Sequence, residues 1–243
     1  MQPVKQKAFS FKEFFNQSLD IISPCRCICC GLNACGDGLP VCSDCIGSFY
    51  KLVNTNCNAC GKEIGICDCN GNSLAFLFWY STGDSHRMIG YIKNDADLRY
   101  ARFFAELLAL RIKIMHKRGF DAVTYVPRRK RGIRVAGYDQ SRLIAEQIAP
   151  ILGIKCIAML NRHGSKEQKL LSASERRRTM VNRYSVIPEN IIGNGGEPFG
   201  RILLIDDVYT TGATIDACST LLRRAGIKQI IPAVITKTQK KEG

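Results

Sequence analysis

The chain is short of acid, of histidine and of long apolar runs. Its 243 residues carry 21 aspartates and glutamates against 35 lysines and arginines, with three histidines and one tryptophan. His86, His116 and His163 share no metal-ligand spacing, so they suggest neither a metal site nor a catalytic role. The longest uninterrupted apolar run, Leu74 to Tyr80, is far too short to cross a bilayer. Phe9 to Ile22 has a helical stripe of Phe11, Phe14, Phe15, Leu19 and Ile22. Lys12, Glu13, Asn16, Gln17 and Asp20 interrupt it, which excludes a secretory signal core. These absences predict a cytoplasmic protein with no transmembrane segment. The shortage of acid leaves a formal net charge of +14, a field that attracts nucleic acid, phosphates or an anionic membrane surface. Part of it is local, at Arg128, Arg129, Lys130, Arg131 and Arg134 and again at Arg176, Arg177, Arg178 and Arg183. A solvated basic face accounts for the same numbers, so charge alone chooses no partner.

Cysteine, by contrast, is abundant and concentrated. Eleven of the thirteen lie between Cys25 and Cys69, which marks a separate module over 25–72, preceded by a helix within 1–24. The pairs are Cys27-x2-Cys30, Cys42-x2-Cys45, Cys57-x2-Cys60 and Cys67-x-Cys69, and glycine directly follows Cys30 and Cys60. Such a knuckle converges two thiolates on one tetrahedral ion, and the glycine relieves the turn. Disulfides and an iron–sulfur cluster are the competing readings, the first disfavoured by a reducing cytosol. Structural zinc, as two ions, fits the spacing best. Sequential pairing puts Cys27, Cys30, Cys42 and Cys45 on one ion and Cys57, Cys60, Cys67 and Cys69 on the other, with short loops to close. A cross-braced scheme joining the two glycine-flanked knuckles is the alternative. Cys25, Cys29 and Cys35 remain as spares, and Cys156 and Cys218 sit in apolar contexts that suit core packing.

From residue 73 onward strand and helix signals alternate. Strands are predicted over Leu74 to Tyr80, Asp121 to Val126, Ile154 to Met159, Ile202 to Ile205 and Ile230 to Ile235. Helices are predicted over Asp84 to Lys93, Asp97 to Lys117, Gln140 to Ile151 and Ala213 to Ala225. The alternation implies an α/β domain over 73–243, a parallel sheet with helices on both faces. The most informative stretch is 202–214. Ile202 to Ile205 read as a strand buried on both faces, and Asp206 and Asp207 fall at its carboxyl end, where open α/β sheets bind ligands. Thr210, Thr211, Gly212, Ala213 and Thr214 lead into the next helix, whose first N–H groups and threonine hydroxyls suit a phosphate. Adjacent carboxylates suit vicinal sugar hydroxyls, which donate to them.

This segment resembles the phosphoribosyl-pyrophosphate (PRPP) motif of type I phosphoribosyltransferases. The resemblance implies Asp206 and Asp207 on the ribose hydroxyls and Thr210 to Thr214 around the 5′-phosphate, with Mg²⁺ bound alongside PRPP. Two further segments fit. Val126-Pro-Arg-Arg-Lys-Arg follows a strand and offers Arg128, Arg129 and Lys130 to a leaving pyrophosphate. Gln168 to Asn182, polar and basic, suits a flap over the site, a plain surface loop or a nucleic-acid contact.

In order along the chain, the cysteine ribbon, the Pro-Arg-Arg loop, Gly137-Tyr-Asp-Gln140, the Gln-Lys-x-Leu-Ser-x-x-Glu-Arg segment and the PRPP motif resemble the ComF family. Those are phosphoribosyltransferase-like proteins linked to natural competence in bacteria. The family usually carries arginine before that glycine, where this chain has Ala136, which leaves Arg134 as candidate substitute and the pyrophosphate contact open. The resemblance implies PRPP binding and a role in DNA uptake; the segment 9–22 docks either on the chain itself or on a partner, for which the resemblance suggests a competence helicase. Two functions remain open: phosphoribosyl transfer to an unnamed acceptor, with Asp206 and Asp207 catalytic, or a non-catalytic single-stranded DNA-binding module whose PRPP site senses or is a relic. Tyr50, Trp79, Tyr80 and Tyr91 are candidate stacking faces for the second, with core burial the expectation for Trp79 and Tyr80. PRPP-dependent transcriptional regulation, a third reading, lacks a DNA-reading helix pair.

Overall fold

The computed structural model describes residues 25–32, 39–57, 62–63, 74–80, 90, 98–129, 132–134, 137–163, 181–193 and 195–238. The helix expected at 9–22, all of that expected at 84–93 but Gly90, most of the segment 168–182, and Cys60, Cys67, Cys69, Lys130 and Ala136 lie outside them.

The strands β1 (Ala75–Tyr80), β2 (Ala122–Tyr125), β3 (Lys155–Cys156), β6 (Arg201–Tyr209) and β7 (Gln229–Thr238) form one sheet in the order β1-β7-β6-β2-β3. Every pairing in it is parallel. β4 (Leu160–Arg162) and β5 (Tyr184–Val186) make a separate antiparallel pair. Helices α2 (Leu98–Met115) and α3 (Gln140–Leu152) cover one face of the sheet and α4 (Ala213–Arg224) the other; α1 (Ser43–Leu52) belongs to the cysteine-rich part.

Side-chain alternation along β6 explains why this strand lies at the centre. Leu203 and Ile205 join Phe104, Leu108 and Ile144 on one face, while Ile202 and Leu204 join Ile215, Cys218 and Leu222 on the other. All four strand residues are fully buried, as a strand covered on both faces requires. The first core cluster continues into the cysteine-rich part through Cys27, Ile28, Val41, Cys42 and Phe49.

The expected strand over 154–159 divides. Its pairing with β2 is confined to Lys155 and Cys156, after which Met159 and Leu160 pack in the second cluster with Ile191 and Tyr184. The apolar run therefore serves both faces of the sheet. Cys218 is fully buried and Cys156 half-buried, each in an apolar cluster. Trp79 departs from the core burial expected of it: it is 37% exposed, edge-on to Phe76.

Candidate functional site

The strand expected to stop at Ile205 runs on to Tyr209, because β7 keeps pairing with it through Val208↔Thr236 and Tyr209↔Lys237. On its other side the ladder ends earlier. β2 pairs with β6 up to Tyr125↔Ile205, Val126 N–H donates to Ile205 O at 2.9 Å, and Pro127 then brings no N–H to continue. The two strands part there, and a cleft of about 250 Å³ opens beside Asp206.

Asp206, Asp207, Val208 and Thr214 from β6 and the start of α4 line it, together with Pro127 and Arg128 after β2, Asp139, Gln140 and Ser141 at the start of α3, and Arg162 of β4. Four of the residues marked by sequence, Asp206, Asp207, Thr214 and Arg128, thus meet at the carboxyl end of the sheet. Thr210, Thr211 and Arg129 are exposed and do not line the cleft. Gly212 is the N-cap of α4 with φ +83°, and Ala213 is the helix's first residue. Glycine is required at 212 twice over, since a Cβ there would lie 2.3 Å from Tyr209 Oη. As N-cap it offers no side-chain acceptor, so most of the first-turn N–H groups remain for an anion. Arg134, the candidate substitute beside Ala136, is exposed and lines neither this cleft nor its neighbour.

Asp206 is the electrostatic centre. Ser141 Oγ–H and the Asp207 N–H both donate to its Oδ1, each at 3.0 Å. Burial, and then the charge of Asp207, push its carboxyl up to about 8 despite those two donors. Asp139 is also raised, by burial first, against the N–H groups it accepts from Arg128 and Arg142. Its Oδ2 holds Arg128 N–H at 2.8 Å and its Oδ1 caps α3 at Arg142 N–H. The Arg128 guanidinium is held by Gln140 Oε1. Asp139 and Gln140 belong to the motif singled out in sequence; Ser141 and Arg162 do not, and neither carried a signal of its own.

A second group of chemical interest lies in the cysteine-rich part. The Sγ atoms of Cys27, Cys30, Cys42 and Cys45 all lie within 4.8 Å of one another. A tetrahedral zinc with Zn–S near 2.3 Å needs sulfurs about 3.8 Å apart, and Cys30 Sγ and Cys42 Sγ are 3.8 Å apart. The first of the two sequential sets is therefore brought together, with Cys25 and Cys29 outside it; Cys60, Cys67 and Cys69 of the second lie outside the described residues. Burial raises the Cys27 thiol, but the backbone N–H groups of Cys30, Cys42 and Cys29 outweigh this and bring it to about 6, toward the thiolate a metal requires. In this turn Cys27 N–H donates to Leu32 O at 2.6 Å, and Cys57 N–H donates to Lys62 O at 2.7 Å, the same five-residue reach.

Among the described residues no helix is long and apolar enough to cross a membrane. No family model matches the chain. It is 26% identical over 217 residues to competence protein F of Haemophilus influenzae, covering 78% of this chain and 93% of that protein. It is 28% identical over 203 residues to competence protein ComFC of Streptococcus pneumoniae, with coverages of 78% and 84%. The ComF resemblance carried by the ordered motifs thus extends over most of the sequence. Among solved structures, glutamine PRPP amidotransferase from B. subtilis matches with TM-score 0.42 and 20% identity, over 60% of this chain and 30% of that one. Adenine phosphoribosyltransferase from Thermoanaerobacter pseudethanolicus matches with TM-score 0.40 and 14% identity, over 79% and 99%.

Proposed function

We propose that the chain is a ComF-type protein of natural competence whose cleft binds PRPP with Mg²⁺ and transfers the phosphoribosyl group to an acceptor amine or base. One observation carries the reading: an acidic pair, a helix start and an arginine loop meet in a single cleft at the carboxyl end of the central strand. Asp206 and Asp207 accept from the vicinal ribose hydroxyls. Thr210, Thr211, Gly212, Ala213 and Thr214 wrap the 5′-phosphate with N–H groups and hydroxyls. Arg128, Arg129 and Lys130 take the pyrophosphate. Mg²⁺, when bound with PRPP, supplies charge neutralisation on the pyrophosphate oxygens. As the bond at the anomeric carbon breaks, positive charge grows on the ribose, and the two aspartates, in their ionised forms, favour it electrostatically. Cys27, Cys30, Cys42 and Cys45 hold one structural zinc, and Cys57, Cys60, Cys67 and Cys69 the second. Thiols kept at metal-binding spacing suit the reducing cytoplasm.

Calorimetry on the zinc-loaded chain tests the site. PRPP should bind in the presence of Mg²⁺, and the Asp206→Asn, Asp207→Asn double variant should not bind. Absence of binding by the unaltered chain overturns the PRPP reading. Pyrophosphate release that depends on an added acceptor tests transfer itself.

A net charge of +14 and two exposed rings, Tyr50 at 59% and Trp79 at 37%, favour a second reading as a single-stranded DNA-binding module that senses PRPP. In that case DNA affinity falls steeply with salt and is lost when Arg128, Arg129, Lys130 and Arg131 are replaced together. A competence helicase is the partner this reading assigns to the segment 9–22.

A further inference from the structure

We infer that Arg162, at the end of β4, is a second residue that grips the leaving pyrophosphate alongside Arg128. The inference rests on the PRPP reading of the cleft and names a contact which that reading lacks.

Arg162 stands at a waist between two cavities. It lines the cleft beside Asp206, and it also lines an adjoining cleft of about 490 Å³ that runs between β2, α3 and the β4 strand. Pro127, Arg128 and Asp139 are the other residues common to both. A second guanidinium thus lines the same two cavities as the loop that follows β2.

Its surroundings leave its charge unanswered. The guanidinium lies over the Tyr184 ring, 5.2 Å from the centroid, on the residue directly across the β4–β5 ladder. Its Nε is buried with no hydrogen-bond partner, and the Tyr184 hydroxyl is likewise buried without one. Arg102–Glu106 and Arg142–Glu146 are ion pairs among the described residues, and no described carboxylate pairs in this way with Arg162. Arg128 is differently placed: its side chain is engaged by Gln140 and its peptide N–H by Asp139. A guanidinium stacked on an aromatic ring keeps its planar fork oriented while its in-plane donors stay available, the arrangement that suits bidentate capture of a phosphate. Three carboxylates, Asp139, Asp206 and Asp207, share the cleft with it. A ligand carrying both hydroxyls and a diphosphate satisfies the acidic and the cationic sides together.

The test compares three probes on the full zinc-loaded chain by calorimetry: PRPP with Mg²⁺, pyrophosphate with Mg²⁺, and ribose 5-phosphate. Arg162→Gln should weaken PRPP and pyrophosphate by about tenfold or more, the loss expected for a charge-assisted bidentate contact, and should leave ribose 5-phosphate within about twofold. Arg162→Lys, which keeps the charge but not the fork, should recover part of the loss. Unaltered PRPP affinity in Arg162→Gln overturns the inference, as does an equal loss of ribose 5-phosphate. If the unaltered chain ignores PRPP yet binds pyrophosphate through Arg162, the PRPP reading falls and the anion contact stands. If it binds none of the three probes, both fall.

Discussion

At the scale of single residues, Asp206 sets a conflict between folding and chemistry. It is among the buried polar residues, and burial with the adjacent Asp207 charge lifts its pKa from 3.8 to about 8. Because the folded value lies above the unfolded one, the native state binds more protons than the unfolded chain between those limits. Stability from this group is therefore present at low pH and is lost as pH rises from about 4 toward 8. Asp206→Asn keeps an oxygen for Ser141 and removes the charge. It should raise stability at pH 8 by about 1–3 kcal/mol and flatten the decline with pH, read from melting temperatures at pH 5 and pH 8. An unchanged melting profile would show that Asp206 is ionised in the folded chain without cost. Gly212 is the second residue where local geometry decides. Its φ of +83° and the Tyr209 ring against it leave no room for a methyl group. Gly212→Ala should cost about 1–3 kcal/mol of unfolding free energy and distort the helix start, lowering the melting temperature and PRPP affinity together.

Among the elements, the start of α3 links fold to site. Asp139 is at once the helix cap, through Arg142 N–H, and the anchor of the loop after β2, through Arg128 N–H. Asp139→Ala should cost about 1–2 kcal/mol in urea unfolding, the usual price of a lost cap, and should also release Arg128 from the cleft; Asp139→Asn should retain most of the cap. The elements show what sequence could and could not reveal. β6, α2, α3 and α4 lie within a few residues of their expected places because each carries a long apolar pattern of one period. The 154–159 run misled because periodicity cannot register a chain that leaves one face of a sheet for the other. β5 and its pairing with β4 were not foreseen, since three-residue strands carry too little pattern. At the site, Asp206, Asp207 and Thr214 were legible because carboxylates and hydroxyls at a strand end have few other uses. Ser141 and Arg162 were not: a serine in the first turn of a helix and an arginine on a short strand look like surface until the chain is folded.

For the molecule as a whole, the cysteine-rich part is built into the main core. Phe49 of α1 lies edge-on to Phe78 of β1, with centroids 5.5 Å apart, and packs on Phe103 of α2 at 5.3 Å. The Tyr100 hydroxyl accepts from Arg26 N–H at 3.1 Å and donates to Arg26 O at 3.0 Å, clamping the turn that holds Cys27. The Arg111 guanidinium, buried and lowered to about 10 by that burial, donates to the carbonyls of Asn54 and Asn56 beside Cys57. With these ties the cysteine cluster and the sheet cannot unfold independently without exposing a shared aromatic core. Metal removal should therefore shift a single cooperative melting transition to lower temperature, and a strong chelator should weaken PRPP binding as well. Phe49→Ala, which empties a fully buried ring position, should cost about 3–5 kcal/mol and mimic the chelated protein in both respects. Two separated transitions in calorimetry, the first alone sensitive to chelator and the second unmoved by Phe49→Ala, would show instead that the zinc-binding part is a passenger on the sheet. A single shifted transition would make metal occupancy a condition for the cleft's geometry, because Phe49 packs on β1 and α2, which belong to the same core as the sheet that positions Asp206.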